Sequence, residues 1–173
     1  MLLSNKYPFL TEFFESAISS DTQGRLSHSI LFYGNDLDAQ YTLALEIARL
    51  LNCTGDRTDN CRCLNCKWIR EGAHPAVLTV SRMDNKPDDD DSKTVISVKQ
   101  SELIRNSLIT SSEFHRVFIL CDRDKVGNIS GLNRINFPIV TANSLLKIIE
   151  EPHPGVTFIF LTKHTVFHQS PSE

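Results

Sequence analysis

Four short, uninterrupted apolar runs punctuate this chain: SILFY (29–33), AVLTV (76–80), RVFILCD (116–122) and VTFIFLT (156–162). Strands without polar alternation are apolar on both faces and have to be covered on both. Helix-length segments separate them, and that alternation predicts a parallel sheet with helices on both faces, an α/β fold. PFLTEFFESAIS (8–19) sets Phe9, Leu10, Phe13, Phe14, Ala17 and Ile18 on one stripe behind Pro8. YTLALEIARLLN (41–52) carries Leu43, Leu45, Ile47, Leu50 and Leu51. KQSELIRNSLITS (99–111) carries Leu103, Ile104, Leu108 and Ile109. TANSLLKIIEEP (141–152) has Thr141 as its expected cap, Leu145, Leu146, Ile148 and Ile149 as its buried face, and Pro152 and Pro154 to stop it. TVISV (94–98) reads as a further strand or as the lead into a helix, and 126–140 as an irregular loop. The acidic stretch RMDNKPDDDDSK (82–93) reads as a solvated surface loop. No internal repeat is present.

Bulk properties narrow the function. The 173 residues fit one domain, or one domain plus a fragment, and 40% apolar residues suffice for a core. A net charge of −3 and a pI near 6.1 argue against coating nucleic acid by bulk positive charge. No apolar run reaches bilayer length, and MLLSNKYPFLTEFFES does not read as a secretion signal. Cysteines without an export signal imply a reducing, cytoplasmic setting, in which metal ligation is expected ahead of disulfides.

Strand, glycine turn and helix at 29–52 have the order of a phosphate-binding loop. A working loop needs G-x-x-x-x-G-K-S/T: amides cradle the phosphates, the lysine reaches the β/γ-phosphates and the hydroxyl holds Mg²⁺. Here Gly34 is kept, Ala39 replaces the second glycine, Gln40 the lysine and Tyr41 the hydroxyl, while Thr42 lies one place too late. Asp36 and Asp38 add negative charge facing a triphosphate. The strand VFILCD ends in Asp122, where a Mg²⁺ ligand would stand, but Arg123 takes the place of the water-polarising glutamate. No ATP binding is expected, and Asp122 is read as a strand-end carboxylate capping a turn.

Four of the five cysteines crowd into CTGDRTDNCRCLNC (53–66). Cys63 and Cys66 form a C-x-x-C pair that can reach one ion at about 2.3 Å, and Cys53 can close from the preceding helix. Cys61, only one residue from Cys63, has a less usual chelating spacing and ranks below the other three. An all-sulfur set without an accompanying acid or base is the chemistry of structural Zn²⁺. Reduced thiols without metal, or a redox C-x-x-C pair, are the weaker readings. Cys121 reads as an inert core thiol. His74 is a spare ligand or, preferably, a turn residue. His28 precedes a strand, and His164 and His168 fall in a terminal tail. No nucleophile elbow is present.

HSILFYG, the cysteine cluster, GAHPAVLTV, FHRVFILCD, TANSLLKIIEEP and FIFLT follow one another in an order that resembles a known family. It is similar to the N-terminal ATPase-like domain of the delta-prime subunits of the bacterial DNA polymerase III clamp loader, from about His28 to Thr162. The most specific pieces are the inserted cysteines, 72–75 (GAHP), 142–147 (ANSLLK) and 150–152 (EEP). The resemblance implies an AAA+-type sheet with a small zinc-binding insertion. It also implies a replication subunit that hydrolyses no ATP within a DNA-directed DNA polymerase holoenzyme. The implied partners are the gamma/tau ATPase and delta subunits and, through the complex, the sliding clamp and primed DNA, with no membrane. Delta-prime subunits present an arginine, in a Ser-Arg-Cys motif, to the ATP of the neighbouring subunit. Residues 1–173 are expected to be the first domain, with that motif and the lid and collar domains lying beyond Glu173. Two departures stand out: Cys61 is shifted by one residue from the family's C-x-x-C-x-x-C, and 126–140 looks like an insertion. The related gamma/tau ATPase subunits carry an intact phosphate loop. A divergent ATPase of that kind, or a zinc-stabilised adaptor outside replication, are the alternatives.

Overall fold

The computed structural model describes residues 6–19, 26–151 and 153–163. Pro152, His164 and His168 lie outside them. In chain order the elements are α1 (Pro8–Ser19), β1 (Ser29–Tyr33), α2 (Leu37–Asn52), α3 (Leu64–Arg70), β2 (Val77–Val80) and α4 (Val98–Ser107). There follow β3 (Arg116–Leu120), β4 (Asp122–Arg123), β5 (Ile129–Ser130), α5 (Ile139–Glu150) and β6 (Val156–Thr162). The four apolar runs form one parallel sheet in the order β1-β6-β3-β2.

Pleating divides β3 between two cores. Val117, Ile119 and Cys121 face a cluster with Phe14 of α1 and Leu43, Ala44, Ile47 and Ala48 of α2. Phe118 and Leu120 face the opposite cluster with Ile104 of α4, Leu145 and Ile148 of α5, and Phe158 of β6. The Phe118 and Phe158 rings stack at 5.2 Å. The sheet is therefore covered on both faces along β3 and β6, whereas the edge strand β1, expected to be buried, leaves Leu31 and Tyr33 exposed on one face.

Several boundaries differ from expectation for local reasons. α2 starts at Leu37, not 41, because Asp36 caps it through Ala39 N at 3.1 Å. TVISV is the lead into a helix: the Ser97 side chain accepts from Gln100 N, and the Gln100 side chain returns the bond, closing a capping box. α4 stops at Ser107, whose hydroxyl donates to Ile104 O, so Leu108 stays buried while Ile109 is 80% exposed. α5 begins at Ile139 behind Pro138, and Thr141 is no cap. It is buried in the first turn and donates to Ile96 O at 2.9 Å. The 126–140 segment is not wholly irregular, since Ile129–Ser130 pairs antiparallel with Asp122–Arg123.

On α1 the anticipated single stripe splits. Phe14 is buried, whereas Phe9 and Phe13, one turn apart on another ridge, are exposed. The acidic stretch is not simply solvated either. Asp90 has its side chain buried, accepts from the Ser97 hydroxyl and from Ser92 N, and lies 3.9 Å from Lys86 Nζ.

Candidate functional site

The side chains at the positions compared above with a phosphate loop are engaged in internal contacts. Gly34, at φ 148°, turns the chain from β1 toward α2. Gln40 Nε2, at the lysine position, donates to Gly34 O at 3.0 Å and to Thr162 O at 3.2 Å, tying the loop to the end of β6. The Tyr41 hydroxyl meets Thr79 Oγ1 at 2.8 Å, and the Arg123 guanidinium lies over the Tyr41 ring at 5.7 Å. Arg123 also donates to Asp84 Oδ1 at 3.2 Å. Ala39 contributes only its amide to the Asp36 cap.

Asp36 sits at the N-terminus of α2, where orphan amides and the helix dipole attract anions. It supplies that anion from within the chain. Its carboxylate accepts from Lys6 Nζ, from Ala39 N, and from the Tyr7 hydroxyl at 2.9 Å. The Lys6 hydrogen bond, then the Ala39 amide and Tyr7, hold the carboxyl down at about 2.

Asp122 is 4% exposed and forms an ion pair with Arg82 Nε at 3.1 Å. It accepts from the Ser130 hydroxyl at 3.2 Å, so it holds β4 against β5 rather than capping a turn.

The cysteines come from three pieces of chain. Cys53 follows the last residue of α2, Cys61 ends a loop, and Cys63 and Cys66 open α3. The four Sγ atoms lie within 4.8 Å of one another. Cys53 Sγ is 3.5 Å from Cys61 Sγ and 3.9 Å from Cys63 Sγ. Tetrahedral coordination at about 2.3 Å puts sulfurs roughly 3.8 Å apart, which these separations approach. Cys61 belongs to the group as fully as the others and is 3% exposed. Its displaced spacing is absorbed by Gly55: a Cβ there would lie 2.6 Å from Cys61 Sγ.

The thiols are not equivalent. Burial opposes ionisation of Cys63, but the amides of Cys66 and Thr54 outweigh it and bring Cys63 down to about 5. Burial, then the neighbouring Cys63, pushes Cys66 up to about 12. Crowded thiols with a first thiolate already available form a set that a divalent cation would complete by displacing protons.

Three arginines and a glycine were not singled out from sequence. Arg70 donates to Cys61 O at 2.8 Å, Arg82 pairs with Asp122, and Arg49 lies beneath the cysteines. The usable signals are Glu46 and Arg49 three apart in the apolar stretch from Leu43 to Leu51, and glycine two residues after the first cysteine. His74 is not among the clustered ligands. It is buried, its Nδ1 accepts from Ala76 N at 3.2 Å, and its ring contacts Phe114 at 5.0 Å. Cys121 is wholly buried, and burial lifts it to about 12. Among the described residues, no helix is long and apolar enough to cross a membrane.

A family model described as DNA polymerase III, delta subunit, matches residues 9–166. The chain belongs to that family. It is 29% identical over 148 residues to DNA polymerase III subunit delta' of Bacillus subtilis (strain 168), an alignment covering 84% of this chain. The chain spans 39% of that relative's length. The delta family match takes in β1 through β6, the four cysteines and Asp36, though not its partners Lys6 and Tyr7.

Proposed function

We propose that residues 1–173 form the ATPase-like first domain of a delta-prime-type subunit of the DNA polymerase III clamp loader. It acts as a non-hydrolysing member of the ring that helps place the sliding clamp on primed DNA. Gamma/tau ATPase and delta subunits are its partners, in the cytoplasm, and the lid and collar domains lie further along the full subunit. The observation that carries the non-hydrolysing role is the Asp36 carboxylate seated at the N-terminus of α2, with Gln40 and Tyr41 committed to backbone and side-chain contacts nearby. A triphosphate would have to displace the Asp36 carboxylate, and it would meet Gln40 where a phosphate loop carries its lysine.

Cys53, Cys61, Cys63 and Cys66 would hold one Zn²⁺. Bound there, the ion would serve as a structural cross-link between the end of α2 and the start of α3, with no open position for chemistry. Reduced protein should carry about one zinc per chain by elemental analysis. Well under one would reject the centre.

Reconstitution tests the role. With purified partner subunits, the full subunit should be required for clamp loading. Gln40→Ala and Tyr41→Phe should leave the loading rate unchanged, because neither residue touches nucleotide. A loss of tenfold or more in both variants, with assembly intact, would contradict the reading.

A further inference from the structure

We infer that Arg49 is a positioning residue of the cysteine centre, holding the loop between Cys53 and Cys61 in place and donating a hydrogen bond to the sulfur of Cys66. The inference rests on the metal reading of the four cysteines.

The geometry uses the whole guanidinium. Nε and Nη2 donate to the Glu46 carboxylate. Nη2 also donates to Arg57 O at 3.1 Å, and Nη1 to Thr58 O at 3.1 Å. The second Nη1 hydrogen is directed at Cys66 Sγ, 3.8 Å away. A guanidinium has five donors, and all five have a partner here. Arg49 is itself 4% exposed, in a helix whose other buried residues are apolar except Asn52.

Two features make this more than a buried ion pair. Cys66 has no exposed surface, so water cannot solvate its sulfur as it can those of the half-buried Cys53 and Cys63. Four thiolates around a dication keep a double negative charge, and a buried cation on the most enclosed sulfur offsets part of it. The loop that Arg49 grips also contains Arg57 at φ 61°, a left-handed conformation that a non-glycine residue adopts only when its surroundings impose it. One side chain thus fixes the spacer between two ligands and polarises a third.

Lysine would keep the charge but offers three donors from a single point and cannot span both carbonyls, the sulfur and Glu46. The test compares wild type, Arg49→Met and Arg49→Lys, loaded with Zn²⁺ and challenged with a chromogenic chelator. The same proteins are then loaded with Co²⁺ to record the sulfur-to-metal charge-transfer band. Arg49→Met should weaken Zn²⁺ by about tenfold or more, as loss of a partner behind a ligand does. Arg49→Lys should fall between it and wild type. The Co²⁺ band of Arg49→Met should move to lower energy, because a sulfur that has lost its donor gives up charge more easily.

Wild-type affinity with an unmoved band in Arg49→Met would overturn the inference. So would weakened affinity with an unmoved band, since that is a loop-holding role alone. Where Arg49→Met does not fold, wild-type affinity and band in Arg49→Lys overturn it. A wild-type chain that takes up no zinc rejects the metal reading itself, whereas loading that is indifferent to Arg49 rejects only this inference.

Discussion

At the scale of single residues, the two sites are built by opposite devices. Around the cysteines the decisive residue is one without a side chain. Gly55 N donates to Cys53 Sγ at 3.4 Å while its Cα leaves just enough room for Cys61. Gly55→Ala would put a methyl 2.6 Å from Cys61 Sγ and 3.4 Å from Cys63 Cβ, so Cys61 would have to move out of the cluster. The expected result is loss of metal loading by elemental analysis, with Cys61 becoming the most readily alkylated cysteine by mass spectrometry. Full loading with unchanged alkylation would refute it. At the phosphate loop the decisive residue is Asp36. Its folded carboxyl value, about 2, lies below the ordinary 3.8, so the native state binds fewer protons between the two. The Lys6–Asp36–Tyr7 contact is therefore complete above about pH 4 and is lost as pH falls through about 2. A carboxyl-carbon NMR titration should place the Asp36 midpoint near 2, and a midpoint near 4 would show the contact absent in solution. Sequence disclosed Asp36 only as a charge hostile to phosphate. Its partners Lys6 and Tyr7 stand 30 and 29 positions away, beyond the reach of any local pattern.

At the scale of elements, the four strands were legible because each carries an unbroken apolar run, and β6 coincides with its run from Val156 to Thr162. Helix ends were less so, because caps decide them. Thr141 looks like a cap by type, yet Pro138 already fixes the turn and Thr141 is drawn inward to Ile96 O. Ser97 gave a better signal, with Gln100 three residues on. Ser97→Ala should destabilise the domain by about 1 kcal/mol, read as a lower urea midpoint at unchanged slope. No shift would mean that α4 is held by packing alone. Phe118 is fully buried against Phe158, and Phe118→Ala should cost roughly 3–5 kcal/mol by the same measurement. A cost under about 1 kcal/mol would show that this face of the sheet is not the packed core described. The β4–β5 hairpin escaped sequence reading because each strand is only two residues long and sets no detectable period.

At the scale of the whole molecule, an AAA+-like parallel sheet has the side chains after β1 and β3 tied into internal contacts. Gln40 joins β1 to β6, Tyr41 reaches β2, and Asp122 joins β4 to β5. Buried His74 and half-buried His115 add a pH dependence to this frame. Burial holds His74 and His115 below the ordinary histidine value, so the unfolded chain takes up protons first as pH drops below about 6.5. The histidine contribution should be level above that point and fall below it, seen as a declining melting temperature between about pH 6.5 and 5. A melting temperature that does not change across that interval would place both rings in contact with solvent. The central claim is that the chain's own side chains occupy the phosphate site. Calorimetric titration of the unaltered protein with millimolar ATP and Mg²⁺ tests it most directly. The account predicts no saturable heat; saturable, Mg²⁺-dependent binding would contradict it.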